Sequence, residues 1–279
     1  MKKTLLMLPM LLLAACSNSQ LGEVSESVQE KSFVIGGQNV ESGSFVASST
    51  VSLIAETEDG GVTSVCSGVL ISNDLVLTAA HCVSGVLDTV LYVSFGVQLP
   101  KSIQDDNVVT LDSLVTNEHF KILAPKAGEE MATTINDLAV LKLADPVPAG
   151  FAPARILSPK VKLSMGRKAV VAGFGITEEI TQRSKDIMQY AEVTVTKRTN
   201  QFIVTDQTAA MGACKGDSGG PAFMETERGP VLVGVTRGSH GGVSDCHHYA
   251  EFTYVPAFKV FLIKAAKMLE AEAPQFLMY

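Results

Sequence analysis

The chain contains no tryptophan, and its 22 lysines and arginines are outnumbered by 29 aspartates and glutamates, leaving a formal net charge of −7. That balance argues against nucleic acid as a partner, because such a surface needs a basic face. Cys-x-x-Cys and His-Glu-x-x-His are both missing, which removes the common zinc frameworks; no metal or cofactor is expected. Long apolar runs are missing too. The nearest, Thr4 to Ala15, is too short to cross a bilayer, and with Lys2 and Lys3 ahead of it residues 1–15 read as an export signal outside the fold. Charged residues are scarce at 18% against 46% apolar, enough to fill a sizeable core in one large or two small domains.

What is present is mostly short and β-prone. Alternating or β-branched runs recur between turn signals at Thr50 to Ile54, Gly68 to Ser72, Leu75 to Ala79, Val90 to Phe95, Leu138 to Leu143, Ala169 to Gly173, Ala191 to Thr196, Pro221 to Met224 and Val231 to Val235. Many short strands with Gly-rich joints predict an all-β fold, sandwich or barrel, which periodicity alone does not separate. From Pro256 the period changes: Phe258, Phe261, Leu262, Ala265 and Leu269 fall on one helical face, predicting a terminal helix. Phe120 to Asn136 reads as a long loop, and residues 16–33, polar and without periodicity after Cys16, as a tether.

Three motifs carry chemistry. Thr78-Ala79-Ala80-His81-Cys82, Asp137-Leu138-Ala139-Val140 and Gly216-Asp217-Ser218-Gly219-Gly220-Pro221 follow one another in that order. A serine hydroxyl is a weak nucleophile at neutral pH, so it needs an imidazole to take its proton, and the imidazole needs a buried acceptor to hold its tautomer. Ser218, His81 and Asp137 are the candidates for those roles. Attack on a carbonyl creates an oxyanion that two converging N–H donors stabilise; Gly216, where a side chain could obstruct the approach, and Ser218 are the candidates.

Over about Val34 to Leu269 these motifs resemble those of the chymotrypsin/trypsin family of serine endopeptidases. The resemblance implies two six-stranded antiparallel barrels, about 34–155 and 156–255, with the site in their cleft and a C-terminal helix on the second barrel. His81 and Asp137 would come from the first barrel and Ser218 from the second. It implies disulfides Cys66–Cys82 and Cys214–Cys246, although four cysteines by themselves allow three connectivities. It also implies a zymogen: Val34-Ile35-Gly36-Gly37 resembles the sequence exposed on activation, whose new ammonium pairs with the aspartate before the nucleophile, here Asp217. The alternative is that Val34 begins the first strand of an uncut chain.

At the position where a carboxylate would select arginine or lysine the chain has Gly212, then Ala213. An uncharged pocket for an apolar or aromatic residue is therefore expected. Thr236-Arg237-Gly238 replaces the family's Ser-Trp-Gly rim, and Arg237, His247 or His248 could instead favour an acidic residue. Leu13-Ala14-Ala15-Cys16 resembles a bacterial lipobox, which implies lipid on Cys16, a membrane attachment and an exported envelope protein, released if cut before Val34. Expected partners are protein or peptide substrates and an activating protease. Two rivals stand beside this reading. One is a protease-like binding or adhesion lipoprotein without activity; the other is an esterase or acyltransferase, which the His, Asp, Ser order disfavours.

Overall fold

The computed structural model describes residues 34–84, 90–182, 184, 186–209 and 211–278. The expected signal, tether and lipidation site at Cys16 lie outside the described residues. Among the described residues no helix is long and apolar enough to cross a membrane.

Six strands form the first barrel: β1 (Thr50–Glu56), β2 (Val62–Leu70), β3 (Leu75–Thr78), β4 (Leu91–Ser94), β5 (Val108–Thr116) and β6 (Ala139–Leu143). They close in the order β1-β2-β3-β6-β5-β4, every pairing antiparallel. The second barrel repeats the plan with β7 (Lys168–Gly173), β8 (Gln189–Arg198), β9 (Phe202–Asp206), β10 (Pro221–Met224), β11 (Val231–Ser239) and β12 (Tyr249–Tyr254). Its order, β7-β8-β9-β12-β11-β10 closing back onto β7, is the same. Closure leaves neither barrel with an open edge.

The strands follow from side-chain alternation. In β8, Ala191, Val193 and Val195 point into the second core while Glu192 and Thr196 face outward, the period of two that a half-buried strand requires. Register shifts at Leu53/Ile54, Leu111/Ser113, Ala222/Phe223 and Thr236/Gly238 mark bulges that bend the strands into closure. Phe95, Phe223 and Phe252 are among the largest fully buried side chains, filling a core that has no tryptophan.

Three features differ from the sequence reading. The terminal helix α1, Lys259–Met268, expected on the second barrel, follows a 3-10 turn at Val255–Phe258 and makes its main strand contact with β6 of the first. Its Leu262, Ala265, Ala266 and Leu269 join the hydrophobic cluster that holds Val51, Leu77 and Val140, and Lys264 pairs with Glu118 at 3.0 Å. The first barrel does not begin at residue 34. Val34 is buried in the second core, and Gln38 and Asn39 pair with Tyr190 and Gln189 of β8. Finally, the stretch 120–136 is not all loop: Lys121–Leu123 and Thr133–Ile135 form a hairpin that projects beside the site.

Candidate active site

His81 opens a one-turn helix, His81–Ser84, directly after β3, and the Cys66–Cys82 disulfide ties that turn to β2. Asp137 lies between the 121–135 hairpin and β6 and is fully buried. Its Oδ1 accepts the His81 backbone N–H at 2.9 Å, and its Oδ2 lies 2.7 Å from His81 Nδ1. The Thr134 hydroxyl donates to the same Oδ2 at 2.7 Å. A carboxylate only accepts, so Nδ1 carries the imidazole proton and Nε2 is left as the acceptor. Burial works against charge on Asp137, but the hydrogen bond and charge of His81, with Thr134 and the His81 amide, outweigh it and hold the carboxyl below the ordinary aspartate range.

Ser218 reaches the same cleft from the second barrel, on the loop between Cys214 and β10, and the Cys214–Cys246 disulfide staples that loop to the opposite wall. The serine is clamped from both sides. Its carbonyl accepts the Ser67 N–H at 2.8 Å, and the next amide, Gly219, donates to the Thr236 carbonyl at 2.8 Å. Gly219 has φ +83°, and a Cβ there would stand 2.1 Å from Thr78 Oγ1 and 2.2 Å from the Ser67 carbonyl. No side chain fits.

Gly216 has φ +94°, and a Cβ would approach the Cα of Gly175 to 2.8 Å. The buried Ser67 hydroxyl donates to the Gly216 carbonyl at 3.2 Å and accepts the Phe174 N–H at 3.1 Å, fixing the peptide plane. Among the described residues, neither the Gly216 nor the Ser218 N–H donates to another protein group. Two amides two residues apart on a fixed loop are therefore available to a developing oxyanion.

Asp217, buried between them, accepts the Gly175 N–H on Oδ1 and the Cys214 N–H on Oδ2, each at 2.8 Å. Burial outweighs those two bonds and pushes its carboxyl up to about 6. Val34 packs in the same core as Ala213, and Ile35 accepts the Gly212 N–H at 3.0 Å.

The cleft encloses about 270 Å³. The 121–135 hairpin contributes Ile122, Met131, Ala132 and Thr134 to one wall; Ala213, Thr236, Arg237, Gly238 and Ala250 form the other. None of its described lining residues is an acid. Gly212 does not line it: the space a side chain would need is filled by Gln207, 2.2 Å from a Cβ built there. Gln207 is buried, its amide nitrogen donating to the carbonyls of Ala213 and Cys246 at 3.0 and 2.9 Å while its oxygen accepts the Ala213 N–H at 2.7 Å. The three basic rim candidates all have carboxylate partners: Arg237 with Glu251 at 2.7 Å, His247 with Glu179 at 2.8 Å and His248 with Asp245 at 2.8 Å. Across the mouth, the amides of Glu130 and Met131 donate to the Gly242 carbonyl and join the two walls.

Sequence reasoning did not find Ser67, Thr134 or Gln207. Thr134 stands three residues before Asp137, and the other two have no local signal. Their roles arise from contacts made across 149 residues for Ser67 with Gly216 and across 39 for Gln207 with Cys246.

Comparison with known proteins agrees with this architecture. The family described as Trypsin matches residues 34–262. Fibrinolytic enzyme isozyme C of Lumbricus rubellus is 28% identical over 221 residues, which span 73% of this chain and 86% of that protein. Trypsin of Sarcophaga bullata is 27% identical over 231 residues, 76% of this chain and 83% of that one. Phenoloxidase-activating factor 3 of Holotrichia diomphalia is 28% identical over 243 residues, 76% of this chain but only 66% of that protein's length. With two closed barrels and a family match over most of its length, the chain belongs to the trypsin family and is a serine endopeptidase.

Proposed function

We propose that the protein is a lipid-tethered bacterial endopeptidase, made as a zymogen, that cleaves after uncharged apolar or aromatic residues using Ser218, His81 and Asp137. The observation that carries the catalytic assignment is the doubly bonded His81–Asp137 pair in a cleft shared with Ser218. His81 Nε2 takes the Ser218 proton as Oγ attacks the scissile carbonyl. The Gly216 and Ser218 amides donate to the oxyanion, and His81 then protonates the departing amine, leaving an acyl-serine that water hydrolyses by the same steps. Asp137 keeps the imidazole in its tautomer and offsets the charge it gains.

The zymogen reading draws on Val34. It sits at φ +44°, a region costly for a β-branched side chain, and that dihedral exists only while the bond to Phe33 is intact. Cutting the Phe33–Val34 bond removes the strain and creates an ammonium on a residue that packs in the same core as Ala213, four residues before Asp217. Phe33 suits an uncharged pocket, so neighbouring tethered molecules could cut one another, with an external activating protease as the other source. Lipid on Cys16 would then hold the zymogen in the cell envelope, and activation would release the catalytic domain.

The apolar preference is supported by the acid-free cleft and by Arg237, His247 and His248 already facing carboxylates. The deciding experiment treats cut protein with a fluorophosphonate. Label is expected on Ser218, and Ser218→Ala is expected to lose both label and casein hydrolysis. Equal hydrolysis by the alanine variant would overturn the assignment.

A further inference from the structure

Arg237 and Thr134 lie on opposite walls of the cleft and meet beside Asp137. Arg237 Nε lies 3.1 Å from Thr134 Oγ1, which lies 2.7 Å from Asp137 Oδ2. A guanidinium has no acceptor, so at this contact the threonine oxygen must accept. Thr134 has a single hydroxyl proton, and with its oxygen engaged by Arg237 that proton points to Asp137. The directions are set by elementary donor counting: the guanidinium donates to the hydroxyl, and the hydroxyl and the imidazole Nδ1–H both donate to the Asp137 carboxylate.

Arg237 is itself held. Its side chain is 10% exposed, its NH1 pairs with Glu251 at 2.7 Å and its guanidinium lies 5.3 Å from the centre of the Phe202 ring. Glu251 engages its other oxygen with His240 Nδ1 at 2.5 Å. These contacts fix the guanidinium on the second barrel, while Thr134 belongs to the hairpin of the first.

We infer that Arg237 is a positioning residue for the triad, fixing the Thr134 hydroxyl as a donor to Asp137 and thereby tying His81 on the first barrel to strand β11 of the second. This rests on the Ser218, His81, Asp137 reading. It assigns Arg237 a role in turnover in place of recognition of an acidic substrate side chain, since its charge already faces Glu251. The contact crosses the cleft between the barrels, so it also reports whether the two walls stand at their working separation.

The test uses processed enzyme from full-length expression, a peptide amide substrate and parallel fluorophosphonate labelling. Thr134→Val removes the hydroxyl, while Arg237→Lys keeps a cation for Glu251 and removes the Nε donor. Each is expected to lower kcat about tenfold, with KM within about twofold, because the interaction acts on the triad rather than on bound substrate. The double variant is expected to be no worse than the poorer single, because both act through one chain. Thr134→Ser, which restores a hydroxyl, is expected to recover kcat to within about threefold of wild type. Unchanged kcat in Arg237→Lys, a raised KM at constant kcat, additive losses or a serine variant as poor as the valine would each overturn the inference. Should Arg237→Lys fail to fold, the comparison of valine with serine at Thr134, on an intact Arg237–Glu251 pair, decides alone. Failure of wild type to label at Ser218 would instead strike the triad reading and take this inference with it.

Discussion

The Ser67 hydroxyl donates to the Gly216 carbonyl across the seam between the barrels, at 3.2 Å, so a residue of β2 sets the peptide that forms one side of the proposed oxyanion site. Ser67→Ala removes that bond and leaves the buried Phe174 N–H without its acceptor. The expected cost is about 1 to 3 kcal/mol in stability, with a several-fold loss of kcat as the Gly216 peptide gains freedom. Urea unfolding and steady-state kinetics on the same sample check both; an unaffected kcat would show that the loop holds the peptide without Ser67.

Ala213 and Gly212 should respond in opposite ways to the same acid. Ala213→Asp places a carboxylate in the cleft wall and is expected to add cleavage after arginine and lysine to a wild-type preference for Phe, Tyr, Leu or Met. Gly212→Asp is expected to destabilise instead, because Gln207 occupies the volume its side chain needs. Peptide-amide libraries and thermal melts separate the two outcomes. Rapid wild-type cleavage after arginine would contradict the proposed apolar preference.

The uncut zymogen should be pH-sensitive through Asp217. Burial raises its carboxyl from 3.8 to about 6, so the folded chain binds the proton more tightly than the unfolded one. Stability therefore falls as pH rises from about 3.8 through about 6 and levels above it, a loss of roughly 3 kcal/mol. The comparison is uncut Ser218→Ala against uncut Ser218→Ala/Asp217→Asn by urea unfolding at pH 4 and pH 7; identical pH slopes would rule the effect out. Cutting before Val34 should abolish the fall, since an ammonium favours the charged form.

Both bridges close short loops, and removing the one between Cys66 and Cys82, 16 residues apart, is expected to cost about 3 kcal/mol. Because that bridge anchors the His81 turn, Cys66→Ala/Cys82→Ala should also lower kcat more than KM. Non-reducing peptide mapping of the native protein should recover no bridge to Cys16, whose thiol is expected to carry lipid.

Maturation tests the tether and the switch together. Ser218→Ala expressed alone should stay uncut and membrane-bound, and coexpression with wild type should process it. Normal processing of the alanine variant alone would exclude self-activation, and an active wild type still beginning at lipidated Cys16 would exclude the Val34 switch.

The motifs around His81, Asp137 and Ser218 were legible because backbone constraint there is local: Gly216 and Gly219 tolerate no Cβ, and His81 and Cys82 share one turn. Strands β1 and β11 announce themselves by dense β-branched runs. By contrast β5 has only Val109 buried, and β12 carries Glu251 in its middle, so neither shows a clean hydrophobic pattern. Glu251 is tolerated in a strand because Arg237 and His240 engage both its oxygens, a partnership visible only after folding. The packing of α1 was misjudged for a related reason. Periodicity shows that a helix has an apolar face but not which barrel covers it.

The ends of the catalytic chain are exchanged between its halves. Residues 34–39 lead into the first barrel, yet Val34 packs in the second core and Gln38 and Asn39 pair with β8, and α1 leaves the second barrel only to cover β6 of the first. Each barrel thus completes its hydrophobic surface with a segment whose covalent continuation lies in the other, so neither can melt without stripping cover from its neighbour. Two structurally separate lobes are in this way coupled into one cooperative unit, whose calorimetric and van't Hoff enthalpies should coincide as they would for a single small domain.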